Sequence, residues 1–166
     1  MIEQTISEDF KQAMRRLAST VAIITSGNAE HPAGMAATAV MSAAGDPPTI
    51  VVAVNRNASL SPVLAEHGRF CVNLLAERHC DLVGVFSGAV KGAERFDAGD
   101  WTSSQDGLPV LSDAAASMIC TTMDTLEVAT HTLFVGRVDS IVNHPAIDPL
   151  VWVDGRMASA QPIPTA

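Results

Sequence analysis

The chain is predicted to be mainly β with inserted helices, an antiparallel barrel decorated by helical segments. Six or seven short β-prone runs are present, and helical patterns fall between them without strict β-α-β alternation. No GxGxxG follows any of these runs, which argues against a doubly wound dinucleotide fold. At 166 residues the chain forms one domain, with a folded part expected over 1–157 and a Pro-rich, loosely held tail over 158–166.

Ser7-Glu8-Asp9 offers an N-cap with two acids in the first turn, and Phe10, Met14, Leu17 and Ala18 recur at helical spacing. Val21–Thr25 is a β-prone run that ends in the turn signal Gly27-Asn28, and Gly34–Ser42 is its expected hairpin partner. Asp46-Pro47-Pro48 stops that strand, because proline cannot donate to a ladder. Thr49–Val54 reads as a buried strand. Ser59-Leu60-Ser61-Pro62 opens a helix that Gly68 closes. Arg69–Leu75 is a further strand and Arg78–Phe86 a short helix. Residues 87–113 are rich in Gly, Asp and Ser and read as a long surface loop, pinned by Trp101 and by Leu108-Pro109-Val110-Leu111. Ser117–Val128 and Thr132–Val142 are long strands, and Leu150–Val153 is a short last one.

Composition narrows the function. Hydrophobic residues make up 48% of the chain, yet no apolar run reaches the roughly 20 residues of a membrane-spanning helix. The few charges and abundant Ala and Val suggest a buried subunit interface. The formal charge of −8 argues against a nucleic-acid binder and means that local donors must hold any anionic ligand. Cys71, Cys80 and Cys120 are odd in number without CxxC spacing, and Met1–Ser7 has no apolar leader pattern; both point to a cytoplasmic protein. The histidines show no metal-ligand spacing, so no metal site is assigned.

Two segments carry the candidate chemistry. Asn55-Arg56-Asn57-Ala58-Ser59 leaves a buried strand and enters a helix N-terminus, where backbone N–H groups and a guanidinium can bind phosphate. It also reads as an ordinary polar connection with Ser59 or Ser61 as cap. Gly34–Val40 has Thr38 as its only hydroxyl among small residues, which suits either close packing or close approach of a flat ligand. If the two segments lie on adjacent antiparallel strands, one ligand can touch both. His131, between two threonines at a strand start, is either a solvated turn residue or a proton donor. Arg95-Phe96 in the long loop, and Phe86-Ser87 at a helix end, either close over a ligand or pack.

At these residues the chain resembles the short-chain flavin reductase family. The carriers are Phe10–Met14, Val21–Thr25, Gly34–Val40, Asp46-Pro47-Pro48, Asn55–Ser59, Gly68–Leu75, Arg95-Phe96 and His131–Gly136, in that order. The resemblance implies a six-stranded antiparallel Greek-key split barrel. It further implies a homodimer that reduces FMN or FAD with NADH or NADPH and supplies a separate oxygenase component. By the same resemblance, Met35, Ala36, Ala37, Thr38 and Ala39 run along the flavin, while Asn55, Arg56, Asn57 and Ser59 hold its ribityl and phosphate groups. Phe86, Ser87, Arg95 and Phe96 complete the pocket, His131 lies by the nicotinamide, and Arg156 is a further cofactor contact. Hydride transfer between two cofactors needs position and donors rather than a protein nucleophile, and the chain shows no nucleophile motif. Two positions depart from the family pattern: Ala36 stands where threonine is usual, and Met157 where an aromatic is usual. They motivate a second reading, a flavin carrier or sensor without turnover; a ligand-free dimerisation barrel is a third.

Overall fold

In a computed structural model that describes residues 2–164, α1 (Ile2–Met14) leads into the short β1 (Ser19–Thr20). Next come β2 (Ala22–Gly27), β3 (Pro32–Ala37), β4 (Val40–Gly45) and β5 (Pro48–Asn55), then α2 (Leu60–His67) and β6 (Arg69–Leu74). A 3-10 turn, α3 (Cys80–Gly84) and a wider turn at Val85–Ala89 follow. After a second 3-10 turn at Gly92–Asp97, β7 (Trp101–Ser103) and β8 (Pro109–Leu111) form a small hairpin. The chain ends in β9 (Ala116–Val128), β10 (His131–Asn143), β11 (Leu150–Val153) and β12 (Arg156–Ser159).

Seven strands make one antiparallel sheet in the order β3-β2-β6-β9-β10-β5-β4. Its two edge strands, β3 and β4, are consecutive in sequence and joined only by Thr38 and Ala39. Two linking residues span at most about 11 Å, three Cα steps of ~3.8 Å, so the sheet must roll until its edges almost meet. The Val40 N–H donates to the Thr38 carbonyl at 3.0 Å and the Ala53 N–H to that of Ala39 at 3.1 Å, which fixes the link against β5. The single strand expected over Gly34–Ser42 is therefore two, and the six strands of the expected barrel become seven. The hairpin of β2 with β3 is present, with Ile23 opposite Ala36. β3, however, is not beside β5, whose neighbours are β4 and β10.

β2 separates two cores, which explains its unbroken apolar run. Ala22 and Ile24 face the sheet's interior with Val52, Val54, Phe70, Val72 and Phe134, and Leu60 and Leu64 of α2 plug one end. Val21 and Ile23 face outward against Leu75, Leu82, Phe86, Leu111 and Leu150. Alternating residues of one strand thus meet different layers. Gly68 closes α2 in the left-handed region (φ 64°) and donates to the Leu64 carbonyl at 2.9 Å, as a C-terminal glycine should. Gly136 is demanded by Phe70: a Cβ there would sit 2.5 Å from the ring.

Asn73, fully buried on β6, ties the two layers together. Its amide donates to the Ile23 carbonyl at 3.1 Å, and its Oδ1 accepts from the Leu111 N–H at 2.9 Å and the Ser117 hydroxyl at 3.1 Å. The 87–113 region is accordingly more ordered than a plain loop. Leu108 and Leu111 are buried and Trp101 half-buried, the anchors that its sequence suggested. α1 starts at Ile2, so Ser7 lies within it and does not cap it. At the other end β12 pairs with β11 as far as Ser159 opposite Leu150, two residues past the anticipated end at 157, and residues 160–164 are exposed.

All three cysteines are free, and Cys71 and Cys120 are wholly buried. Burial pushes both thiols from an ordinary value near 9 up to about 12, with Cys120 adding to the rise at Cys71 and Asp139 to that at Cys120. A folded-state value above the unfolded one means that the unfolded chain loses these protons first as pH rises. The associated stability is whole below about pH 9 and disappears towards pH 12. Urea unfolding at a series of pH values from 7.5 to 11 should show this decline, shallower in Cys71→Ala; a flat profile would contradict it.

Candidate active site

The outer side of β3 is built for close approach. Gly34 has no room for a side chain: a Cβ would lie 2.9 Å from Phe86 and 3.2 Å from Phe96. Those rings meet edge to face, 5.3 Å apart at 85°, and both pack on Trp101 at 5.3 and 4.9 Å. The cluster presses the Val85–Ala89 turn against β3. Arg95 locks the arrangement, because its Nη1 donates to the Gly34 carbonyl at 2.6 Å and its Nε to that of Val90 at 2.7 Å. Both partners are neutral, and among the described residues no carboxylate pairs with the guanidinium.

Three adjoining cavities follow β3 from one end to the other. The first, about 400 Å³, lies where the start of α2 approaches the strand and is lined by Met35, Ala36, Asn57, Ser59, Phe86, Ser87 and Arg95, together with Ala58 and Gly88. Ser59 makes no side-chain cap bond, which leaves its hydroxyl available there. The second, about 230 Å³, shares Ala36 and Ser87 with the first and adds Ala37, Thr38 and Trp152. The third, about 650 Å³, shares Thr38 and Trp152 with the second and contains Ala39, His131 and one face of α1. The shared walls make one groove, with Arg95 and Ser59 at one end and His131 at the other. The Thr130 hydroxyl lies 2.9 Å from Nδ1 of His131 and orients the ring.

Four anticipated contacts fall outside this groove. Asn55 pairs with His131 across β5 and β10, and its Oδ1 accepts from the Asn57 N–H at 2.9 Å, so it shapes the loop from behind. Arg56 turns to the opposite side of α2, donating to the Ala129 carbonyl and lying 3.6 Å from the Glu127 carboxylate. It lines a different cavity there, beside Thr122 and Phe134. Phe96 supports Gly34 and Phe86 from the side away from the groove. Arg156, on β12, is exposed and paired with Asp154 at 3.1 Å. The adjacency expected between β3 and the Asn55–Ser59 strand is absent. The two segments meet because the sheet curls and brings the start of α2 over β3.

Trp152 and the α1 face are groove walls that sequence reasoning missed. Trp152 stands directly opposite Met157 in the β11–β12 hairpin, so the wall lacking an aromatic at 157 has one across the ladder. A lone tryptophan in a short run otherwise composed of aliphatics was the available signal. Phe10 and Met14 were recognised by their spacing, but their face lines the third cavity and remains 61% and 45% exposed.

A family model described as a flavin reductase like domain matches residues 14–161. The chain belongs to that family. Among curated relatives, the FMN reductase (NADH) RutF of Stutzerimonas stutzeri (strain A1501) is 39% identical over 147 residues, 89% of this chain and 84% of the relative. The corresponding protein of Cronobacter sakazakii (strain ATCC BAA-894) is 40% identical over 147 residues, 89% of each chain. Of the solved structures, the styrene monooxygenase flavin reductase of Pseudomonas putida S12 superposes with a TM-score of 0.83 at 30% identity, covering 95% of this chain and 99% of that one. A flavin reductase structure from Haemophilus somnus 129PT gives 0.88 at 30% identity, covering 92% and 98%.

The aromatic support of β3 is open to a direct test. Gly34→Ala forces Phe86 and Phe96 outward and should destabilise the fold by about 1–3 kcal/mol, the usual range for overpacking. Denaturant unfolding with near-ultraviolet circular dichroism would read both effects, and an unchanged aromatic spectrum with unchanged stability would refute the packing account.

Proposed function

We propose that the chain is an NADH-dependent flavin reductase that hands reduced flavin to a separate oxygenase component. The observation that carries this reading is the continuous groove along β3, with the Arg95 guanidinium and a free hydroxyl at one end and His131 at the other. The family membership and the FMN reductases among its relatives support FMN and NADH over FAD and NADPH.

The residues present fit a flavin. Ala36 and Ala37 leave the strand backbone open to a flat ring system, Thr38 offers a hydroxyl, and Arg95 with Ser59 forms an anion site at the start of α2. A bound flavin supplies the redox chemistry, accepting hydride from the nicotinamide. The protein's own contribution is to hold the groove rigid through the Arg95 and aromatic contacts, to exclude water from the strand face, and to place His131 where the nicotinamide carboxamide can meet it. Ser87 lines the first two cavities together with Ala36, where the family pattern has threonine, and offers a hydroxyl there.

The same reading covers the assembly. Met41, Met123, Leu126 and Val128 expose a band of apolar surface on β4 and β9, which supports a homodimer. Three free thiols support a reducing, cytoplasmic setting.

Mixing the purified protein with FMN and NADH should give flavin-dependent loss of absorbance at the NADH band. A persistently yellow protein without NADH consumption would instead favour the carrier reading, and no response to either nicotinamide with either flavin would overturn the proposal.

Removing the cation at the phosphate end provides a second measurement. Arg95→Met should weaken FMN about tenfold, ~1.4 kcal/mol, and weaken riboflavin, which lacks the phosphate, by clearly less. Equal losses for the two ligands would assign Arg95 to loop support alone.

A further inference from the structure

We propose that His79 is a positioning residue for the flavin groove, an acid-released latch at the root of the arm that carries Val83, Phe86 and Ser87. The proposal rests on the reductase reading for what the groove binds, but not for the latch itself. Val83 and Ser87 line the second cavity, and Phe86 and Ser87 the first, so this arm forms one side of both. α3 is only five residues long, and helices shorter than ~12–15 residues are marginal without support from their surroundings. Its placement is therefore set by its attachments. Beyond the Val85–Ala89 turn, the Val90 carbonyl accepts from Arg95 Nε at 2.7 Å. At the near end the attachment is His79.

Of the five histidines, His79 is the buried one, 6% exposed. Its backbone N–H donates to the Ala76 carbonyl at 2.9 Å, and its Nδ1 accepts from the Ala76 N–H at 3.0 Å. A ring nitrogen that accepts carries no hydrogen, so the neutral imidazole bears its proton on Nε2, which lies 3.0 Å from Oδ1 of Asp113. A second proton makes both nitrogens donors. Nε2 then keeps its place at Asp113, but the new Nδ1–H faces the Ala76 N–H, and two donors cannot bond. Ala76 is wholly buried, so its N–H is left without an acceptor, a costly state that favours movement of the turn. α3 follows directly from that turn and moves with it.

The other charged groups of this region are carboxylates and one guanidinium. Asp113, from the β8–β9 link, lies 3.3 Å from Arg78 Nε, and Asp148, from the β10–β11 link, lies 3.2 Å from Arg78 Nη1. On the turn itself the Glu77 N–H donates to the Asp148 carbonyl at 3.0 Å, and the Cys80 thiol to the Glu77 carbonyl at 2.9 Å; Asp81 stands in the first turn of α3. Carboxylates ordinarily titrate near pH ~4 and imidazoles near ~6.5. Mild acid therefore reaches the ring and leaves the Arg78 pairs in place, so the bond it removes is the one between Ala76 and His79. The latch is closed at neutral to alkaline pH and opens as pH falls.

Near-ultraviolet circular dichroism of the full-length protein without ligand follows the Phe86, Phe96 and Trp101 cluster as pH is lowered from about 8 to about 5.5, within the range where imidazoles charge. The wild-type signal should fall reversibly. In His79→Asn, whose side-chain oxygen can accept from the Ala76 N–H without titrating, it should hold. His79→Leu, which has no acceptor, should show the acid spectrum already at pH about 8. Over the same range the FMN dissociation constant should rise about fivefold more in wild type than in His79→Asn; the difference cancels the titrations of His131 and the FMN phosphate, which both proteins share. Nitrogen-15 spectra of the wild-type imidazoles at the alkaline end should place the His79 proton on Nε2, which tests the acceptor role even if neither variant folds. A proton on Nδ1, or matching profiles for wild type and His79→Asn in either readout, overturns the proposal. Failure of wild type to bind FMN or FAD at any pH would instead overturn the reductase reading and leave the dichroism to decide the latch.

Discussion

The molecule depends on one covalent constraint: the two edges of its main sheet are joined by Thr38 and Ala39 alone. An antiparallel sheet with so short a link between its edges cannot stay open. Rolling it up encloses Phe70, Phe134 and the aliphatic side chains of β2 and β5, and leaves an end for α2 to plug. The same rolling carries the start of α2 over β3. The groove is thus a by-product of rolling the sheet, and the second core packed outside β2 supplies Phe86 as one of its walls.

That second core gives the groove its stiffness. Phe86 is both a buried member of the outer layer and a wall of the first cavity. Asn73 links the inner and outer layers through bonds to β2, β8 and β9. Leaving its buried partners unsatisfied would cost about 1–3 kcal/mol for each group, so the layers hold a fixed spacing. A preorganised ligand site needs such rigidity, because its donors must already point inward before the ligand arrives.

Much of this was legible in the sequence wherever local chemistry decides conformation. The positions of β5, β6 and α2, the Gly68 terminus and the anchors of the 87–113 segment all follow from periodicity and turn residues. So did the residues on β3, because small side chains in a strand announce a close approach whatever approaches. The break at Thr38-Ala39 was not legible: nothing in Thr-Ala signals a turn, and only the need to join two sheet edges creates it. Arg56 and Asn55 were expected beside the ligand because the Asn55–Ser59 connection leaves a strand for a helix N-terminus and carries a guanidinium. Successive residues leaving a strand point to opposite sides, however, and Arg56 follows the far one towards Glu127. Trp152 was missed for the converse reason. It lies far along the chain from the β3 and Val85–Ala89 walls, and the β1-β11-β12 sheet is what brings it there.

Charge explains how an acidic chain can hold anionic ligands. Arg15, Arg56, Arg69, Arg78, Arg137 and Arg156 are each matched by a carboxylate, so their fields largely cancel beyond a Debye length of roughly 8–10 Å. Arg95 escapes that fate because its guanidinium is fixed by the Gly34 and Val90 carbonyls, which orient it without neutralising it. Carbonyl anchoring is the arrangement expected of a cation meant for a ligand: a carboxylate in the same place would have to be displaced before a phosphate could bind. The chain as a whole carries the wrong sign for an anion, whereas the β3 face presents Arg95 with no carboxylate partner among the described residues, so what matters there is which cations are left unpaired rather than how many the chain contains.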